Sequence, residues 1–188
     1  FKDRYLLRRD PFSMLEGLLI AAHVAQASEA YVPMKASFTK ELERVRRAID
    51  EMRAAGALGD VEVTVVEGPE EYLFGEERAL LEVIEGNDPL PREPHYPPFE
   101  RGLFATPMSP NPAIVNNVET FARVPDIVRH GAASFREIGT ANTPGPLLFT
   151  LSGAVRRPGV YELAAGISLR ELIFDVAGGL GPVSYTHL

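Results

Sequence analysis

AYVPMKASFTKELERVRRAIDEMRAAGALGDVEVTVVEG (residues 30–68) holds two hydrophobic periods, and the change between them decides the fold. AYVPM (30–34) is short and apolar, with a proline that a strand tolerates at an edge or end. Phe38, Leu42, Val45, Ile49 and Met52 then recur at spacings of 4, 3, 4 and 3, the spacing of one helix face. Ser37 is placed to cap this helix and Gly56 lies just past its end. VEVTVVEG (61–68) alternates valine with polar residues and reads as a second strand. Strand, helix, strand predicts a parallel unit, with 30–35 beside 61–67 and the 38–55 helix crossing between them.

Upstream, Asp10-Pro11 reads as a cap and first helical residue. Met14, Leu15, Leu18 and Leu19 then give a helical face running to about Ser28. Downstream, Gly68-Pro69 ends the strand, and EYLFGEERALLEVIEG (71–86) begins where ligands bind in open α/β sheets, beyond the strands' carboxyl ends. Leu80, Leu81 and Ile84 mark the buried face of a short helix that Gly86 stops. Glu76 and Glu77 stand at its mouth. Carboxylates there favour the positive end of the helix dipole by about 0.3–1 kcal/mol each. The alternative is that backbone N–H groups at this turn face a ligand, which the carboxylates help to hold.

Eight of the chain's 16 prolines fall between Pro89 and Pro112. His95, Tyr96, Phe99, Leu103 and Phe104 make 87–116 too aromatic for a flexible linker, so it reads as an ordered loop packed over the α/β body. VNNVETFARVPDIVRHG (115–131) follows as a helix, with Asn116 and Glu119 fitting a capping box, Pro125 as a kink or new start, and Gly131 as the stop. LLFTLSGAV (147–155), the Pro158-Gly159 turn and VYEL form a hairpin. Ser168 and Glu171 form a capping box for a helix with Leu169, Leu172, Ile173 and Val176 on one face. Hairpin then helix opens a β-grasp unit. The boundary falls at Thr143-Pro144-Gly145-Pro146, dividing the chain into 1–145 and 146–188. A β-grasp sheet needs further strands, so an exposed apolar face is expected on 147–176.

The chain has 188 residues, 45% hydrophobic and 24% charged, an ordinary soluble balance. A net charge of −7 argues against a nucleic-acid partner, which demands a basic surface. No apolar run approaches the roughly 20 residues of a membrane span, so no direct membrane insertion is expected. FKDRYLLRRD is charged throughout and does not read as a signal peptide; without an initiator methionine, the chain reads as an internal piece of a longer protein. With no cysteine, the chain holds no disulfide and no cysteine-ligated metal. His23, His95, His130 and His187 are scattered without ligand spacing, so no metal site and no catalytic side chain is assigned.

GEERALLEVIEG, PPFERGLF, IVNNVET and LSGAVRRPGVYEL, in this order, resemble the flavin-bearing NADH-oxidising (51 kDa-type) subunit of respiratory complex I and its relatives in NAD-linked hydrogenases and formate dehydrogenases. The resemblance runs from FKDRYLL to VAGGL. It implies a Rossmann-like parallel-sheet FMN domain, lacking its N-terminal part, followed by the start of a ubiquitin-like (SLBB-like) β-grasp domain. It implies hydride transfer from NADH to FMN and onward passage of electrons to a 4Fe-4S cluster. The parent is then an FMN-dependent NADH:acceptor oxidoreductase in the cytoplasm, on the peripheral arm of a larger redox complex with neighbouring iron–sulfur subunits.

Residue by residue, the resemblance carries Tyr72, Gly75 and Glu76 to the flavin turn, and Asn116, Asn117 and Thr120 to the segment contacting FMN phosphate and ribitol. Glu77 matches the carboxylate near the NADH ribose, a position that accepts a hydroxyl and repels a 2′-phosphate. Phe99 matches an aromatic that stacks on adenine. PREPHYPPF (91–99) runs longer than the family pattern, which leaves Tyr96 as a competitor. The family's glycine-rich flavin loop and acidic Asn-x-Asp-Glu stretch would precede this chain, and its four cluster cysteines would follow. Alone, this stretch is expected to be inactive, and its closing SYTHL (184–188) departs from the β-grasp pattern. Two rival readings stay open: a homologue with a decayed flavin site that serves assembly, and a β-grasp module that binds a soluble ligand.

Overall fold

The computed structural model describes residues 1–92 and 96–181; His95, His187 and the SYTHL ending lie outside them. Two helices, α1 (Lys2–Arg9) and α2 (Pro11–Ala25), precede strand β1 (Glu29–Lys35), helix α3 (Thr39–Ala54) and strand β2 (Glu62–Gly68). A single 3₁₀ turn (Tyr72–Gly75) leads into α4 (Glu77–Ile84). Helix α5 (Val118–Arg136) and the hairpin β3 (Pro146–Leu151) and β4 (Gly159–Ala164) follow, closed by one π-helical turn, Glu171–Val176. Among the described residues no helix is long and apolar enough to cross a membrane.

The predicted parallel unit forms. β1 and β2 pair in parallel from Glu29↔Glu62 to Lys35↔Gly68. Ala30, Val32 and Met34 alternate into the core, where they meet Val63, Leu42, Val45 and Ile49. The fold is therefore mixed α/β around a small parallel sheet. The helix-face residues of α3 are buried or half-buried, as their spacing requires.

Helix α2 is apolar on more than one side because it has two neighbours. It packs on the core through Met14 and Leu15, and it runs against α5. At Gly17 the two backbones nearly touch: an added Cβ would lie 1.9 Å from the carbonyl oxygen of Phe121. Asp10 caps α2 as expected, accepting the Ser13 N–H at 3.1 Å. The helix ends earlier than its apolar pattern, at Ala25, because Gln26 adopts the left-handed conformation (φ 57°) that terminates helices.

Three local readings are corrected. Ser37 does not cap α3: Phe38 occupies that position without a side-chain bond, while the Ser37 N–H and hydroxyl donate to Glu70 at 3.1 and 2.8 Å. The cap of α5 is Asn117, not Asn116; its Oδ1 accepts the Glu119 N–H at 3.0 Å. The box does not close, because the Glu119 carboxylate turns to the Leu148 N–H of β3 (2.9 Å) and to Lys2 (3.1 Å). Pro125 does not break α5 but is buried within it; the break comes at Gly131 (φ 85°), where a stop is expected, and a second helical run continues to Arg136.

The hairpin pairs antiparallel from Pro146↔Ala164 to Leu151↔Gly159. Ser168 and Glu171 form the predicted reciprocal box at 2.7–3.2 Å. The turn after it is wider than an α-helix, with Leu172 buried and Leu169 exposed. Leu147 and Phe174 are also exposed.

Candidate functional site

The carboxyl ends of both strands meet at the Lys35↔Gly68 pair, and the Ala36 N–H donates to the Gly68 carbonyl at 2.9 Å. Lys35 Nζ reaches the Glu70 carbonyl at 2.7 Å, which with the Ser37 bonds ties the two outgoing loops together. Gly68 is required by packing. A Cβ there would lie 2.2 Å from the buried Phe74 ring, so the ring sits directly on the strand's last residue. Phe74 thereby seats the 3₁₀ turn against the end of β2.

Gly75 has no comparable internal reason. It is not among the residues with positive φ, and nothing among the described residues lies within 4 Å of where its Cβ would be. Beside it, Tyr72 is 94% exposed. Glu76 is the α4 cap: Oε2 accepts the N–H groups of Arg78 (3.0 Å) and Ala79 (2.9 Å), and Oε1 accepts Arg78 Nε (3.0 Å). Burial pushes its carboxyl up, but the Ala79 N–H and the Arg78 contacts outweigh that and hold it below the usual carboxylate range. Glu77, the first residue of α4, is exposed and has no hydrogen-bond or ion-pair partner among the described residues. The adjacent carboxylates thus divide: one closes the helix, the other is open to a ligand.

The second motif segment is held by α1, to which the sequence pattern gives no role. Asn117 Oδ1 accepts Lys2 Nζ at 2.8 Å and its Nδ2 donates to Asp3 at 3.3 Å. Lys2 also pairs with Glu119. Asn116, Asn117 and Thr120 are all exposed at the start of α5, where first-turn N–H groups lack intrahelical partners. Among the described residues no hydrogen bond or ion pair joins 72–77 to 116–120. Helix α1 is anchored from its other side by Glu41, which is fully buried and takes Arg4 Nε and Arg8 Nε, each at 2.7 Å. The signal for this anchor was the i,i+4 spacing of Arg4 and Arg8; its partner, 37 residues from Arg4, has no local signature.

The described part of the proline-rich loop beyond residue 95 is internally hydrogen-bonded. Ala113 N–H donates to the Pro98 carbonyl (2.9 Å) and Gly102 N–H to that of Pro110 (3.0 Å). Phe99 is 69% exposed, with no cation stacked on its ring among the described residues. Tyr96 carries the Arg101 guanidinium 4.9 Å above its ring centroid. No group of three or more metal-ligating side chains is present among the described residues.

Residues 1–126 match a family described as the Nuo51 FMN-binding domain. The chain is 43% identical to an F-type NADH-quinone oxidoreductase subunit of Rhizobium meliloti (strain 1021), over 95% of this chain and 43% of that protein. It is 41% identical to the corresponding F-type subunit of Aquifex aeolicus (strain VF5), with the same coverage of each chain. Among solved structures, an NAD+-reducing [NiFe]-hydrogenase in the H2-reduced state superposes with a TM-score of 0.85 at 35% identity, covering 96% of this chain and 30% of that one. The chain spans less than half the length of the curated relatives it matches.

Proposed function

Because this chain belongs to the Nuo51 FMN-binding domain family, we propose that it forms part of an NADH dehydrogenase subunit, contributing one wall of the FMN site and one wall of the NADH site. The observation that carries this reading is Gly75. Its backbone conformation does not call for glycine and no described side chain crowds it. A glycine at the carboxyl edge of a parallel sheet, facing open space, suits close approach of a flat ligand to the backbone.

The residues present fit FMN. Tyr72 and Gly75 are exposed beside the half-buried Glu76, and Asn116, Asn117 and Thr120 offer amide and hydroxyl groups at a helix start suited to a phosphate. Asn117 is pre-positioned by Lys2 and Asp3. FMN, when bound, would accept a hydride from NADH and release electrons one at a time. The chain's own side chains bind and orient, and none is assigned as acid or base. Glu77 would accept the ribose hydroxyls of NADH. Phe99, with no cation over its ring among the described residues, would stack on adenine in preference to Tyr96, whose ring already holds Arg101. A cysteine-ligated 4Fe-4S cluster does not fit this chain, which has no cysteine; in this reading it belongs to another part of the parent. The hairpin unit would open the β-grasp domain, and neighbouring iron–sulfur subunits would be the partners of the complete protein.

The test is Gly75→Val in the complete protein. The new side chain meets open space, so circular dichroism should match wild type. FMN retained after desalting, read by flavin absorbance, should fall by at least about tenfold, the loss expected when about 1.4 kcal/mol of close contact is removed. Full FMN retention would refute the assignment of this turn to the flavin.

A further inference from the structure

A guanidinium ties the long loop to α4 and its C-terminal cap. Arg92 Nη1 donates to the Gly102 carbonyl at 2.8 Å and Nη2 to Glu85 Oε1 at 3.0 Å. Its Nε pairs with Glu82 Oε1 at 2.6 Å. Glu85 Oε1 also accepts the Phe104 N–H at 2.6 Å. All three charged side chains are largely buried, at 14–18% exposure, so the contacts are shielded from water and salt. A planar fork reaching a carbonyl and two carboxylates at once is a geometry that lysine cannot reproduce.

Beyond this clamp the loop is closed on itself. A Cβ at Gly102 would lie 2.0 Å from the Asn111 carbonyl oxygen, and Asn111 Nδ2 donates to the Leu103 carbonyl at 2.7 Å. The described stretch from 97 to 113 is therefore tied together, with Phe99 inside it. Helix α4 carries Glu77 at its first residue and Glu82 in its last turn, and Glu85 is its C-cap; the eight positions from Glu77 to Glu85 span about 12 Å. One short rigid helix thus connects the candidate ribose contact to the anchor of the candidate adenine contact.

We infer that Arg92 is a positioning residue for the dinucleotide: by clamping the Phe99 loop to α4, it fixes the spacing between the Glu77 ribose contact and the Phe99 adenine contact. This rests on the functional reading given above. Arg92 touches neither cofactor nor reacting atoms. Its loss loosens the adenine wall and leaves the flavin turn, at the opposite end of α4, in place.

The experiment uses the complete protein loaded with FMN, with Arg92→Met, Arg92→Lys, Phe99→Ala and the Arg92→Met/Phe99→Ala double variant. Arg92→Met should raise the KM for NADH about tenfold, in keeping with the sensitivity of bound geometry to small displacements. kcat at saturating NADH and FMN content should stay within about twofold, since the binding lost is the same in the ground and transition states. Arg92→Lys should not restore KM. The double variant should be no worse than Phe99→Ala, because both act through one contact. Should Arg92→Met fail to fold, Glu85→Gln, which keeps an acceptor for Phe104 but removes the charge, carries the same expected KM rise. A raised KM in Phe99→Ala with wild-type KM in Arg92→Met and Glu85→Gln overturns the inference alone, as does full additivity in the double variant. A wild-type protein that does not oxidise NADH, or an unchanged KM in Phe99→Ala, defeats the functional reading and this inference with it.

Discussion

Glu41 and Glu77 each lie in the first turn of an amphipathic helix, α3 and α4, and the molecule uses the two starts in opposite ways. At α3 the carboxylate is fully buried, clasped by Arg4 and Arg8, and it holds α1 onto the core. At α4, Glu76 takes over capping and leaves Glu77 exposed without a protein partner among the described residues. The helix dipole favours both acids equally and so says nothing about their work. What separates them is desolvation. A buried carboxylate must be matched by cations or it destabilises the fold, so its contacts belong to the structure. An exposed one costs nothing to leave unpaired and stays available to a ligand.

The largest effect that can break this contrast is at Glu41. Glu41→Ala strands two guanidiniums and releases α1, and should cost about 3 kcal/mol of unfolding free energy, the lower end for breaking a buried pair because both arginines reach solvent. Denaturant titration measures it; a loss under about 1 kcal/mol would mean that the triad does not hold the fold. The pH dependence follows from the same site. Burial pushes the Glu41 carboxyl up most strongly as a single influence, yet Arg4, backbone and Arg8 contacts together hold it below its ordinary range. A carboxylate lowered in the folded state contributes stability that is complete above its unfolded value, about pH 4.3, and is lost as pH falls through the lower folded value. Glu41→Gln should therefore flatten the fall in stability below about pH 4.3. An acid limb as steep as in wild type would contradict this.

Glu76→Ala comes next in size. It removes the acceptor of two first-turn N–H groups and should cost about 1 kcal/mol. Glu77→Gln should shift stability least, by about 0.5 kcal/mol or less, since the carboxylate touches only solvent and the dipole. If thermal melts reverse the order of Glu76 and Glu77, the division of labour between them is wrong.

Much of this was legible in the chain and some was not, for identifiable reasons. The parallel unit could be read because its evidence is periodic: valines at every second position, apolar residues at 4 and 3, and Asp10-Pro11 and Ser168/Glu171 with local bonding partners. Ser37 fits a local cap pattern, but Glu70, 33 residues away, outcompetes the helix for its hydroxyl. The cap of α5 was misplaced by one residue because adjacent asparagines satisfy the same pattern and only backbone conformation chooses between them. Gly17 gave no signal, since its meaning lies in Phe121, far along the chain. At the candidate site, Gly75, Glu76 and Glu77 stood out as a motif, but the motif could not say which carboxylate would be engaged. Arg92 has no local signature, because its partners are set by how a non-periodic loop meets α4 and its cap.

The central claim, that the start of α4 faces a dinucleotide through Glu77, is tested most directly by nucleotide preference. A 2′-phosphate about 4 Å from a carboxylate would oppose it by about 4 kcal/mol per charge pair at an effective dielectric near 20. Exposure and salt reduce this to about 1.4 kcal/mol, a tenfold effect. Glu77→Gln in the complete protein should raise the ratio of kcat/KM for NADPH over NADH about tenfold, with NADH itself changed little. An unchanged ratio would contradict the account and leave Glu77 a first-turn carboxylate with no part in recognition.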